Sequence, residues 1–403
     1  MSVLAQKPPD LVHNLIPVNI KPFYNALPET ERMLITENLS KIYSSTGVMK
    51  LYHFIDMISK RVEIPSQTRQ FFKEVLKNIE PEINREIAIS RNTVLNEKVE
   101  DTERGRAYHI LAYLNWLNTC KEYLEIDIAR INFKLKIEGS ITEQGKILTV
   151  MIINHVITAL PDYLRELGLS EAQVDRYRKR LSQFKVAFVS EEEWKRRKYP
   201  EGAEALLKMK SETLYVRFID DAQQLLDLKP LVRRQGTITH EMLHYLTGGY
   251  SNNSNSMSLH EALTETFKQL AIFRELGLPI LSDIEEHLQE TIPSRRYTIN
   301  NLIPFANLSY RKLVTNDEFQ ELFAVIGRLE WQRAYFSRDF TEIKTAVNNY
   351  LSNVPNGFDY LFNDESFEDI GSIALVLTKK SDTDPLNWTE KFDKAKKPYK
   401  VEK

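Results

Sequence analysis

The sequence predicts a mainly α protein with a small β-sheet, an α+β chain in which helices dominate. Three observations carry this. Leu, Ile, Lys and Glu are plentiful while only 13 of 403 residues are Gly, a composition that favours helices. Apolar residues recur at helical spacing over most of the chain. Two short runs rich in β-branched and aromatic residues, Phe184–Val189 and Thr213–Ile219, stand apart from that pattern.

Residues 1–26 contain Pro8, Pro9, Pro17 and Pro22 and read as an extended arm. Helical patterning follows over 27–183. Pro28-Glu29-Thr30-Glu31 opens one helix, with acids near its positive end. Pro65 opens another, in which Phe71, Phe72, Val75, Leu76 and Ile79 share a face, and Pro81 is expected to interrupt it. A long helix is expected from Thr102 past Tyr123 into Leu135, and a further one over 142–167 with a break at Pro161. Ser170-Glu171-Ala172-Gln173 resembles a capping box for the next helix. Strands are expected at 184–189 and 213–219, with a second capping box at Ser190–Glu193 between them. Helical patterning returns over 272–288, with a break at Pro279, and over 317–353, and the tail beyond Lys379 is charged.

Charge and composition exclude several classes. A net charge of −2 gives no general grip on nucleic acid. A single cysteine, Cys120, excludes an internal disulfide and reads as a buried thiol. The apolar run Ile147–Ile157 falls short of the roughly 20 residues that span a membrane, so no span is expected. The N-terminus has no basic start followed by an apolar core, and a cytoplasmic location is the default expectation.

Chemistry concentrates in Thr237–Phe267. His240-Glu241-Met242-Leu243-His244 places two imidazoles four residues apart, on one helix face, where both can reach one metal ion. Glu241 stands beside them, placed to take a proton from a water on that ion. Gly248 and Gly249 suit the end of that helix, and the polar stretch 251–256 makes a turn. A second helix begins near Ser258 and carries His260, Glu261, Thr264 and Glu265. A catalytic zinc site ordinarily has three protein ligands. Glu261 is the expected third, with Glu265 one turn on, able to accept the other ring N–H of a histidine.

HEMLH followed by HEALTE resembles the gluzincin zinc metallopeptidases, the group that includes thermolysin. The likeness covers roughly 30 residues firmly. It implies one zinc ion held by His240, His244 and Glu261, with Glu241 as general base and Glu265 behind the ligands. It departs from thermolysin-like enzymes at His260, where they have Asn, and in a slightly short spacer. The resemblance also implies a zincin-like core over 184–272, between the helical domain and a helical region at 273–403. An edge strand upstream of the zinc helix binds substrate backbone in that family. Thr213–Ile219, through Tyr215, Val216 and Arg217, is the expected counterpart; a strand that only packs under the helix is the alternative. A downstream Tyr or His stabilises the oxyanion in such enzymes, and Tyr297 is the candidate here, with Tyr310 and Arg296 behind it.

The expected function is zinc-dependent hydrolysis of a peptide or protein substrate. Two other readings stand beside it. One is a helical binding or scaffold protein with a vestigial or structural metal site. The other is a metal hydrolase acting on non-peptide amides.

Overall fold

A computed structural model describes residues 14–61, 64–96, 98–125, 134–139, 141–166, 169–181, 183–201, 203–218, 228–247, 257–278, 328–337 and 340–350. Of the described structure, 75% is helical, and its strands form one small mixed sheet. That is the mainly α, small-β class expected from composition. The chain gathers into two compact units that interleave in sequence. One takes Met1–Asn96, Arg106–Ala159 and Leu181–Ile238. The other takes Glu97–Gly105, Leu160–Arg180 and Thr239–Lys403.

The first unit opens on α1 (Lys21–Asn25), a helical turn with Pro22 at its start, where proline is tolerated. The end of the expected extended arm is therefore helical, and Ile16, Ile20 and Tyr24 are buried. α2 (Glu29–Ser44) follows Pro28 with Glu29 and Glu31 in its first turn. α3 (Val48–Ser59) packs on α2, and both α1 and α3 meet α4 (Ser66–Leu95). α4 runs straight through Pro81. Its buried face continues from Phe71, Phe72, Val75, Leu76 and Ile79 to Ile83, Ser90 and Val94, so packing on both sides outweighs the one lost backbone bond.

The long helix expected from Thr102 into Leu135 is two helices, α5 (Asp101–Leu114) and α6 (Trp116–Glu125). They part at Asn115, whose side-chain oxygen accepts from the Asn118 side-chain amide at 3.2 Å. Lys134–Glu138 is then a strand, β1. Its alternation of Lys134, Lys136 and Glu138 with Leu135 and Ile137 is a strand pattern. α7 (Glu143–Glu166) continues through Pro161. Glu143–Arg165 is long and apolar enough to cross a membrane, yet 78% of its apolar window is buried in the protein, as in a core helix.

The sheet has the order β1-β2-β4-β3, from β1, β2 (Lys185–Val189), β3 (Ala205–Lys208) and β4 (Thr213–Arg217). β1 and β4 lie parallel to β2, with Val186 opposite Leu135 and Leu214, and β3 runs antiparallel to β4. β2 is central and is buried from Val186 to Val189. Between β2 and β3 stands α9 (Glu191–Arg196), whose cap is the expected one: Ser190 Oγ accepts from the Glu193 N–H at 3.3 Å. Gly145 on α7 lies against Phe218 so closely that a Cβ there would come within 2.1 Å of the ring.

The second unit contains α8 (Glu171–Leu181), capped by the expected box. The Ser170 N–H donates to Gln173 Oε1 at 3.0 Å, and the Gln173 N–H returns to Ser170 Oγ at 3.4 Å. It also holds the HEMLH half of α10 (Leu228–Thr247), together with α11 (Met257–Glu275), α12 (Arg328–Ser337) and α13 (Thr341–Tyr350). α12 packs on both α11 and α13. α11 stops at Gly277, which takes φ +63° while the Leu278 N–H bonds back to Phe273 O at 2.9 Å. This turn falls just before the break expected at Pro279. Residues 279–288, the linker 248–256, Tyr297 and the segments beyond 350 lie outside the described residues.

Candidate metal centre

His240 and His244 lie one turn apart on α10 and are 8% and 5% exposed. Their rings meet edge to face, with centroids 4.7 Å apart. The two Nε2 atoms are 3.0 Å apart. Two nitrogens bound tetrahedrally to one zinc at 2.0–2.1 Å would lie about 3.3 Å apart, so this separation suits one shared ion. The other ring nitrogens face α11. His240 Nδ1 is 3.2 Å from Glu265 Oε2, and His244 Nδ1 is 3.5 Å from Thr264 Oγ1.

Glu265 is 2% exposed. Burial works against its charge, but the Lys268 ammonium and the hydrogen bond from His240 outweigh it. They hold the carboxyl well below the usual range. An ionised carboxylate can only accept, so the Nδ1 that faces it carries the proton. Nε2 of His240 then keeps its lone pair, the form in which imidazole binds metal. Lys268 donates to the other oxygen of Glu265, a contact that the sequence reading missed.

α10 is anchored at its C-terminal end by α8. Arg180 Nη1 donates to Leu246 O at 3.0 Å, and the Tyr245 hydroxyl donates to Arg180 O at 3.2 Å. The Arg180 guanidinium also lies over the Tyr245 ring, 4.6 Å from its centroid. A cation at the last carbonyls suits the negative end of a helix.

No protein-family model, curated protein or solved structure matches the chain. Among the described residues no three His, Cys, Asp or Glu side chains gather into a group that could hold a metal. Two imidazoles converge, and the side chain of Glu261 lies outside the described set, as does that of His260. By backbone position Glu261 is one turn before Glu265 on α11. Glu241 follows His240 on α10 and is half-buried. The structure thus brings together His240, His244 and Glu265. It adds Thr264, Lys268 and Tyr335 around them.

The expected substrate strand needs correction. Tyr215, Val216 and Arg217 are in β4, which lies between β2 and β3. Its ladder is taken on both sides, so β4 has no open edge to which a peptide can add. Among the described residues the outer strands are β1 and β3. Val216 is buried, Tyr215 meets Tyr199 edge to face with centroids 5.6 Å apart, and Arg217 is bound to Glu191. Alternation along 213–218 marks a half-buried strand, but it carries no information about which neighbours the strand has.

Proposed function

We propose that this chain is a zinc-dependent hydrolase of peptide bonds. One observation carries the reading: two buried Nε2 atoms lie 3.0 Å apart while His240 sets its Nδ1 3.2 Å from the buried carboxyl of Glu265. Converging lone pairs at that distance repel unless a cation or a proton lies between them. Imidazole pairs backed by a carboxylate are a metal-binding arrangement.

His240 and His244 would hold the ion, with Glu261 as the third ligand. Glu265 fixes the ring of His240 and its tautomer. A zinc ion bound there supplies Lewis acidity, which acidifies water and polarises a carbonyl oxygen. Glu241 takes a proton from the attacking water and delivers it to the leaving amine. That role requires a carboxylate next to the ligands, which a purely structural site does not need. Tyr297 remains the proposed donor to the oxyanion.

The test starts from metal content. Purified wild type should carry near-stoichiometric zinc, and His244→Ala little. Glu241→Gln should keep zinc but lose at least about a hundredfold in turnover on a mixed peptide library. A wild type that takes up no zinc, or a Glu241→Gln variant as fast as wild type, would sink the proposal.

A further inference from the structure

α11 carries three adjacent polar side chains that water hardly reaches: Thr264, Glu265 and Lys268 at 0%, 2% and 7% exposure. Buried polar groups are costly unless partnered. Glu265 and Lys268 bind each other, and Glu265 also binds His240. Thr264 has different partners. Its hydroxyl lies 2.7 Å from the Tyr335 hydroxyl and 3.5 Å from His244 Nδ1. Tyr335, on α12, is fully buried and is fixed by the rings of Phe267 and Phe336, each 5.1 Å away. Each histidine of the HEMLH pair thus sets its Nδ1 against an oxygen of α11.

We propose that Thr264 and Tyr335 are positioning residues that hold His244 in its metal-binding orientation, as Glu265 does for His240; this rests on the metal reading above. A neutral imidazole has one N–H. With that proton on Nδ1, facing the Thr264 oxygen, Nε2 of His244 turns its lone pair towards Nε2 of His240. The 3.5 Å approach is longer than an ordinary N–H···O bond, so Thr264 steers the ring only while its oxygen is kept in place. The short bond to Tyr335 holds the hydroxyl on the side of His244. The two histidines are therefore backed differently, one by a charged pair and one by two neutral hydroxyls.

The test uses the full chain, with zinc affinity measured by competition with a chromophoric chelator. Tyr335→Phe and Thr264→Val should each weaken zinc binding about tenfold or more. Thr264→Ser, which keeps the hydroxyl, should restore nearly all of it. In the metal-free protein, where a proton takes the place of the ion between the two Nε2 atoms, nitrogen NMR of the His244 ring should report one tautomer in wild type and a tautomer mixture in Tyr335→Phe. A merely structural hydroxyl pair would not move that signal. If wild type binds zinc and Tyr335→Phe binds it equally tightly with an unchanged tautomer, this inference alone is overturned. If wild type binds no zinc, the metal reading falls and takes the inference with it.

Discussion

Glu191 and Arg217 meet through two hydrogen bonds of 2.6 Å, tying α9 to β4. These bonds, those from Arg217 first, bring the Glu191 carboxyl down to about 2 from an ordinary 4.5. A depressed carboxylate stabilises the fold fully above its unfolded pKa. That contribution is lost as pH falls from about 4.5 towards 2. Glu191→Gln should lower neutral-pH stability by about 1 kcal/mol, discounted for a half-exposed pair. It should also flatten the acid limb of a melting-temperature curve over that window. Superimposable pH curves for the two proteins would count against it. Residues differ in how far sequence reveals them. His240 and His244 are legible because helical spacing puts them on one face, and Glu265 because it stands one turn beyond Glu261 on the next helix. Tyr335 is not, because it reaches Thr264 from 71 positions away and is one of 18 tyrosines. Arg217 looks available on its strand, and only the fold shows that Glu191 holds it.

At the scale of elements, helices follow from spacing and caps. Pro81 and Pro161 are breakers that tertiary packing overrides, whereas Asn115 divides a pattern that spacing alone reads as one helix. Pro81 in α4 is exposed, removes the amide that Lys77 O would accept from, and costs about 3 kcal/mol against Ala inside a helix. Its stiffening of the unfolded chain returns only about 0.4–1 kcal/mol. Pro81→Ala should therefore raise stability by about 2 kcal/mol, seen as a higher urea midpoint with an unchanged slope. An equal or lower midpoint would mean that α4 has another way of satisfying that carbonyl. Strands were harder to read. β2 and β4 announce themselves by β-branched and aromatic residues. β3, Ala205-Leu206-Leu207-Lys208, has no alternation to find, and β1 was absorbed into the helical pattern before it. Neighbour order in the sheet is set by pairings far apart in sequence, which no local window contains.

Over the whole molecule, each compact unit is assembled from three separate stretches of chain. Neither can be completed from one contiguous segment. The first pair in the sheet sets Lys134 opposite Lys185, a separation of 51 positions (185 − 134). A ribosome adding about 5–20 residues each second delivers β1 roughly 3–10 s before its partner β2. An unpaired strand is a template for pairing with another chain, and lysines blunt it. Replacing Lys134 and Lys136 together by Thr should raise the insoluble fraction during expression while leaving the refolded protein's melting temperature nearly unchanged. Equal soluble yields would reject this. In the finished fold Lys136 points out to solvent, 72% exposed, and is paired with Glu138. Because β1 is an outer strand of the described sheet, these charges guard its edge in the completed fold as well as in the growing chain.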